Sequence, residues 1–187
     1  MQRPLRSHNA VVGLDLSLPS PAFVAVGLRT GVVLSAHLGV VLSAHLMVRE
    51  VMPEPKRMLW MAGRVSELLD KTRAVDVAIR GFEDRADPLD HRVSGLAWVV
   101  RAVLWSEGRS YWDIPPETLA HFARAYGSEP LSEGAPSLAF RREEEPSASL
   151  VNAANAAAML RQNLLGQWEN NLTIDAWATA RRVHGRD

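Results

Sequence analysis

The sequence predicts an α/β fold: a mixed sheet led by three strands as a meander, then alternating helices and strands, with helices on both faces. Three observations predict it. Residues 10–17 (AVVGLDLS) and 22–28 (AFVAVGL) are β-rich apolar runs separated by the turn signal Pro19-Ser20-Pro21, so they read as a hairpin. A third run of the same kind begins at Gly31. Beyond Pro55 the pattern changes to segments with apolar residues at helical spacing, separated by short strand-like runs. At 187 residues the chain has the length of one ordinary domain, read as 1–187.

The third run has an unusual form, because residues 31–38 (GVVLSAHL) recur unchanged as residues 39–46. Side chains alternate faces along a strand with period two, so a shift of eight leaves every inward residue inward. Both copies compete for one place beside the second strand, and sixteen extended residues would span about 53 Å, far longer than a usual strand. One copy is expected to pair and the other to bulge, overhang or loop out. His37 and His45, eight apart, lack the spacing of metal ligands.

Residues 57–74 place Met58, Met61, Val65, Leu68 and Leu69 at helical spacing, and 75–79 form a short buried strand ending at Arg80-Gly81-Phe82. A helix over 89–105 puts Leu89, Val93, Leu96, Val100 and Leu104 on one face, with Trp98 and Trp105 read as core or rim packing. Residues 110–114 read as a strand stopped by Pro115-Pro116, and 117–126 as a helix ended by Gly127. The segment 128–149, with Pro130, Gly134, Pro136 and Pro146, reads as a flexible linker. An alanine-rich helix follows over 150–165, closed by Gly166, and a last helix is expected from about 171–173 to Gly185.

Composition removes several classes of function. Without cysteine there is no disulfide framework, thiol nucleophile or zinc ribbon. Twenty-one bases balance 21 acids, which excludes a strongly acidic or basic specialist. An anionic partner must therefore use a local patch, and nineteen of the 21 bases are arginines, the side chain suited to bidentate phosphate contact. A GC-rich genome would give the same arginine excess. No apolar stretch reaches the length of a membrane span, and the N-terminus has no signal-peptide pattern, so a cytoplasmic protein without membrane contact is expected.

Carboxylates are then the natural metal candidates, and hard oxygen ligands favour Mg²⁺ or Mn²⁺. Asp15 interrupts a buried strand, where an unpaired charge costs several kcal/mol, so it needs a partner, a cation or a solvated strand end. Capping of the following turn with Ser17 is the alternative. Asp175 falls in the first turn of the expected last helix, where a carboxylate also simply favours the helix dipole.

Four motifs in order, Val12-Gly13-Leu14-Asp15-Leu16-Ser17, Val77-Ala78-Ile79-Arg80-Gly81-Phe82, Ile114-Pro115-Pro116-Glu117-Thr118-Leu119 with Phe122-Ala123, and Ile174-Asp175-Ala176-Trp177, make the chain resemble a RuvC-type Holliday junction resolvase of the phage-encoded kind. The resemblance runs from about residue 10 to 182 and implies an RNase H-like fold. It also implies a structure-specific endonuclease in which carboxylates hold two divalent ions that activate water for phosphodiester hydrolysis in branched DNA.

Residue by residue, Asp15 matches the first-strand aspartate and Asp175 the aspartate before alanine in the last helix. Arg80 stands where the family has glutamate, and Asn170, Asn171 and Leu172 stand where a second helical acid is expected. Glu83 is the candidate substitute ligand, giving catalytic residues Asp15, Asp175 and Glu83. Arg85, Arg92, Arg124, Arg141 and Arg142 are the candidate DNA contacts. Because a symmetric junction needs two nicks, a homodimer is implied. The alternative is a degenerate homologue that binds branched DNA or a protein partner without cutting. The Gly13-x-Asp15-x-Ser17 turn also resembles the first phosphate loop of actin-like and sugar-kinase ATPases, but their duplicated domain does not fit 187 residues, so no nucleotide cofactor is expected.

Overall fold

In the computed structural model the described residues are 10–16, 21–31, 33–38, 54–81, 91–126, 148–166 and 179–186. They form a six-stranded sheet: β1 (Ala10–Asp15), β2 (Ala22–Gly27), β3 (Val33–Leu38), β4 (Ala74–Arg80), β5 (Tyr111–Ile114) and β6 (Arg181–Val183). Helices α1 (Glu54–Thr72), α2 (His91–Ser106), α3 (Pro116–Tyr126) and α4 (Ala148–Leu165) connect or cover them. The strand order is β3-β2-β1-β4-β5-β6. Pairing is antiparallel for β1–β2, β2–β3 and β5–β6 and parallel for β1–β4 and β4–β5. The fold is thus the mixed α/β arrangement that the leading meander and later alternation predict.

Burial explains the order. Every residue of β1 and β2 is buried, the pattern of strands covered on both faces. Alternation sends Val12, Leu14 and Leu16 to one side, where they join Met61, Val65 and Leu69 of α1 and Leu96, Val100 and Leu104 of α2. Val11 points to the other side, into a second cluster with Leu119 and Phe122 of α3 and Ala153, Ala157 and Leu160 of α4. Gly13 shares that second face. A Cβ there would lie 2.6 Å from the Ala157 amide nitrogen and closer still to the Ala153 carbonyl oxygen, so the α4 backbone rests directly on β1.

The first octapeptide copy supplies β3, which pairs with β2 from Ala22↔Leu38 to Val26↔Val33 and carries one bulge. The second copy lies outside the described residues. The connection into β3 turns through Gly31 at φ +69°, with its amide bonded to the Gly27 carbonyl at 2.9 Å.

The C-terminus corrects the sequence reading. A helix running to Gly185 is not what the chain forms, since Arg181–Val183 is an edge strand against β5. Its anchor is long-range. Buried Asp76 of β4 accepts a hydrogen bond from Trp112 Nε1 (3.0 Å) and lies 3.7 Å from Arg182, whose guanidinium stands over the Trp112 ring at 5.6 Å. Just before β6 the Thr118 and Thr179 hydroxyls share a hydrogen bond of 2.6 Å. The linker reading over 128–149 overlaps α4, which already opens at Ala148, and residues 128–147 lie outside the described residues. Among the described residues no helix is long and apolar enough to cross a membrane.

Candidate functional site

Two parallel central strands end side by side at the site. The pairing of Leu14 with Ile79 leads β1 and β4 to finish at Asp15 and Arg80 respectively, at the carboxyl ends where open α/β sheets gather their ligand groups. Asp15 is the last residue of an apolar strand, and its side chain is only 2% exposed. Such a carboxylate needs polar company. Asn152 of α4 donates from Nδ2 to Asp15 Oδ2 at 2.8 Å, and Arg80 Nε lies 3.9 Å from the same oxygen. The close seat of α4 on Gly13 brings Asn152 within this reach.

Arg80 is itself held from behind. Arg101 stands in α2, 3% exposed, and donates from Nη2 to Asp113 Oδ1 (2.6 Å) and to the Arg80 carbonyl (3.3 Å). One step further, the Gly81 amide donates to the Ile114 carbonyl at 2.7 Å, carrying the β4–β5 ladder past Arg80. Gly81 is tight there, because a Cβ would lie 3.1 Å from that carbonyl. Arg101 therefore ties α2, the end of β4 and β5 together directly behind the Asp15 site.

Of the residues singled out from sequence, the structure brings Asp15 and Arg80 together. Arg124 is exposed near the end of α3, which runs through Tyr126, so Arg124-Ala125-Tyr126 are helical. Arg92 lies in the first turn of α2. Glu83, Arg85, Arg141, Arg142 and Asp175 lie outside the described residues.

Sequence reasoning missed Asn152 and Arg101. The signals were present but faint: Asn152 and Asn155 stand three apart before Ala156 in an alanine-rich helix, and Arg101 is the lone charge in the apolar run VVRAVLW. Asn155 is also buried. On the helix that touches Asp15, positions 152 and 155 carry amides rather than carboxylates.

A divalent ion needs several oxygen ligands of net negative charge. Among the described residues no group of three or more His, Asp or Glu could hold one, and Asp15 shares its oxygen with an amide and a guanidinium. The described residues by themselves do not fit the ion.

No protein-family model matches the chain, and no curated protein matches its sequence. Solved structures do match its fold. RuvC of Thermus thermophilus in complex with Holliday junction substrate superposes with a TM-score of 0.59 at 18% identity, over 85% of this chain and 97% of that one. A second Thermus thermophilus RuvC structure gives 0.56 at 16% identity, over 84% and 96%. The yeast mitochondrial Holliday junction resolvase gives 0.62 at 13% identity, over 92% and 88%. With its mixed sheet and its helices on both faces, this chain has the RNase H-like fold of the RuvC-type Holliday junction resolvases.

Proposed function

We propose that the chain is a structure-specific endonuclease acting on branched DNA, of the Holliday junction resolvase kind. The observation that carries this reading is a buried carboxylate, Asp15, at the carboxyl end of β1, in a fold shared across 84–92% of the chain with junction resolvases. Asp15 is then the central catalytic group, joined by Asp175 and Glu83, with Mg²⁺ or Mn²⁺ as the ion this set would hold. Arg85, Arg92, Arg124, Arg141 and Arg142 neutralise DNA phosphates, which makes binding steeply salt-dependent. Two nicks in a symmetric junction call for a homodimer.

A specific observation favours a second reading, in which the chain binds branched DNA without cutting it. Arg80 places a cation beside Asp15, and Asn152 places an amide there, where a metal site gathers carboxylates. A four-way junction assay separates the two. In the first reading the protein nicks the junction in Mg²⁺ or Mn²⁺, and Asp15→Asn lowers the rate at least about 100-fold. In the second, the native chain retards the junction in a gel without nicking it, and nicking appears only when Arg80→Glu and Asn152→Asp restore carboxylates. A chain that fails to bind junction DNA in low salt overturns both readings.

A further inference from the structure

The duplicated octapeptide is the one sequence motif that the fold and the proposed site leave unused. In β3, Ser35 stands opposite Ala25, and buried Val33 stands opposite Val26 and packs in the cluster beneath α4. The bulge between these pairs turns Leu34 out to 44% exposure. Residues 41–46 repeat residues 33–38 without a change, so Val41, Leu42 and Ser43 stand in the second copy's sequence as Val33, Leu34 and Ser35 stand in the first. A displacement of eight keeps both the facing of each side chain and the position of the bulge. β3 is also the edge strand, so β2 is the only strand that has to accept the replacement.

We propose that the sheet has two registers for its edge strand, with residues 33–38 and 41–46 as alternative occupants of the same place beside β2. Chain entropy hardly separates them. Residues 28–32 join β2 to β3 and residues 39–53 join β3 to α1, so the exchange lengthens one connection by eight and shortens the other by eight. Loop closure depends logarithmically on length, and these opposed changes alter the balance by less than a factor of about two. The side chains offered to β2 are the same in sequence in the two states.

Local contacts of the turn choose between them. Gly31 at φ +69° makes its 2.9 Å bond to the Gly27 carbonyl, and Arg161 of α4 donates from Nε to the Leu28 carbonyl at 2.8 Å and from Nη2 to the Arg29 carbonyl at 3.4 Å. The Arg161 guanidinium also lies over Gly31, where a Cβ would meet it at 3.3 Å. In the second register Gly39 follows Leu38 instead of Thr30, so the close Gly27–Gly31 turn opens and the β2–β3 connection becomes a long loop. This helix residue thereby acts as a clamp on the first register.

A double-mutant cycle on the full chain reads the exchange, because a buried aspartate excludes a copy from the sheet. Val33→Asp alone is expected to lower the melting temperature by roughly 3 °C, Val41→Asp to leave it unchanged, and both together to lower it by roughly 10 °C or more. Equal melting temperatures for Val33→Asp and the double variant overturn the proposal. A trapping measurement covers the case in which aspartate disturbs folding, and the cysteine-free chain makes it clean. Ala25→Cys with Ser35→Cys should close a disulfide under a mild oxidant in the first register, and Ala25→Cys with Ser43→Cys in the second. Formation of the first disulfide without the second likewise overturns the exchange.

Discussion

Replacing Gly13 with alanine is expected to lower the melting temperature by roughly 6–12 °C, the equivalent of about 3 kcal/mol in a chain of this size. The added methyl has no flexible neighbour to displace. It meets the carbonyl oxygen of Ala153 and the amide of Ala157, both backbone atoms inside α4, so the helix must lift off β1 as a unit. Lifting it opens the cluster that holds Val11, Ala156, Met159 and Leu160 and withdraws Asn152 from Asp15. Thermal unfolding followed by circular dichroism measures the effect. An unchanged melting temperature would mean that α4 does not sit on this strand. The stabilising companion fails too: Ala157→Gly cannot rescue Gly13→Ala, because the obstruction is main chain rather than the Ala157 methyl.

The Arg101–Asp113 pair should show a marked asymmetry. Arg101 is 3% exposed and Asp113 32%, so the two partners stand to lose different amounts when left alone. Asp113→Ala strands a guanidinium in the interior and is expected to cost about 3 kcal/mol, despite the hydrogen bonds Arg101 keeps to the Ala97 and Arg80 carbonyls. Arg101→Met leaves a carboxylate that water reaches, and its cost is expected nearer 1–2 kcal/mol, about that of one charge-assisted hydrogen bond. Urea titration of the two variants gives the ranking. The reverse order would mean that the aspartate, not the arginine, is the buried member that needs its partner. Loss of Arg101 also frees the Arg80 carbonyl from its support, so any junction-dependent activity should fall in Arg101→Met with stability still measurable.

Much of the fold was legible because local pattern and tertiary demand agree. The apolar runs over β1 and β2 are what a strand buried on both faces requires, and the periodic residues of α1 and α3 form the faces that pack. Gly166, at φ +64°, ends α4 where its position after an alanine-rich run predicts. β6 was illegible for the opposite reason. Arg181-Arg182-Val183 has no strand signature of its own, and only Asp76 and Trp112, distant in sequence, give it a place.

The site divides along the same line. A charge at the end of an apolar strand announces Asp15, and Arg80 announces itself as a cation at the end of the neighbouring strand. Asn152 carries no charge and no periodic weight, so only the seating of α4 on Gly13 shows that it faces Asp15. Arg101 stands out from sequence only as a lone charge in an apolar run; its burial follows from the acceptors that Asp113 and Arg80 offer across the sheet end.

The seat of α4 also sets a timetable for synthesis. β1 leaves the ribosome first among these elements, yet one face of it is covered by a helix that begins at Ala148. At ordinary rates of about 5–20 residues per second, Val11, Ala22, Val24 and Val26 wait roughly 6–30 s for that cover. Through that interval the nascent chain shows a flat apolar strand surface, and the contact that closes it spans about three-quarters of the sequence. Yield on expression should therefore respond more to slowing translation between β5 and α4 than to any change in the finished protein's stability.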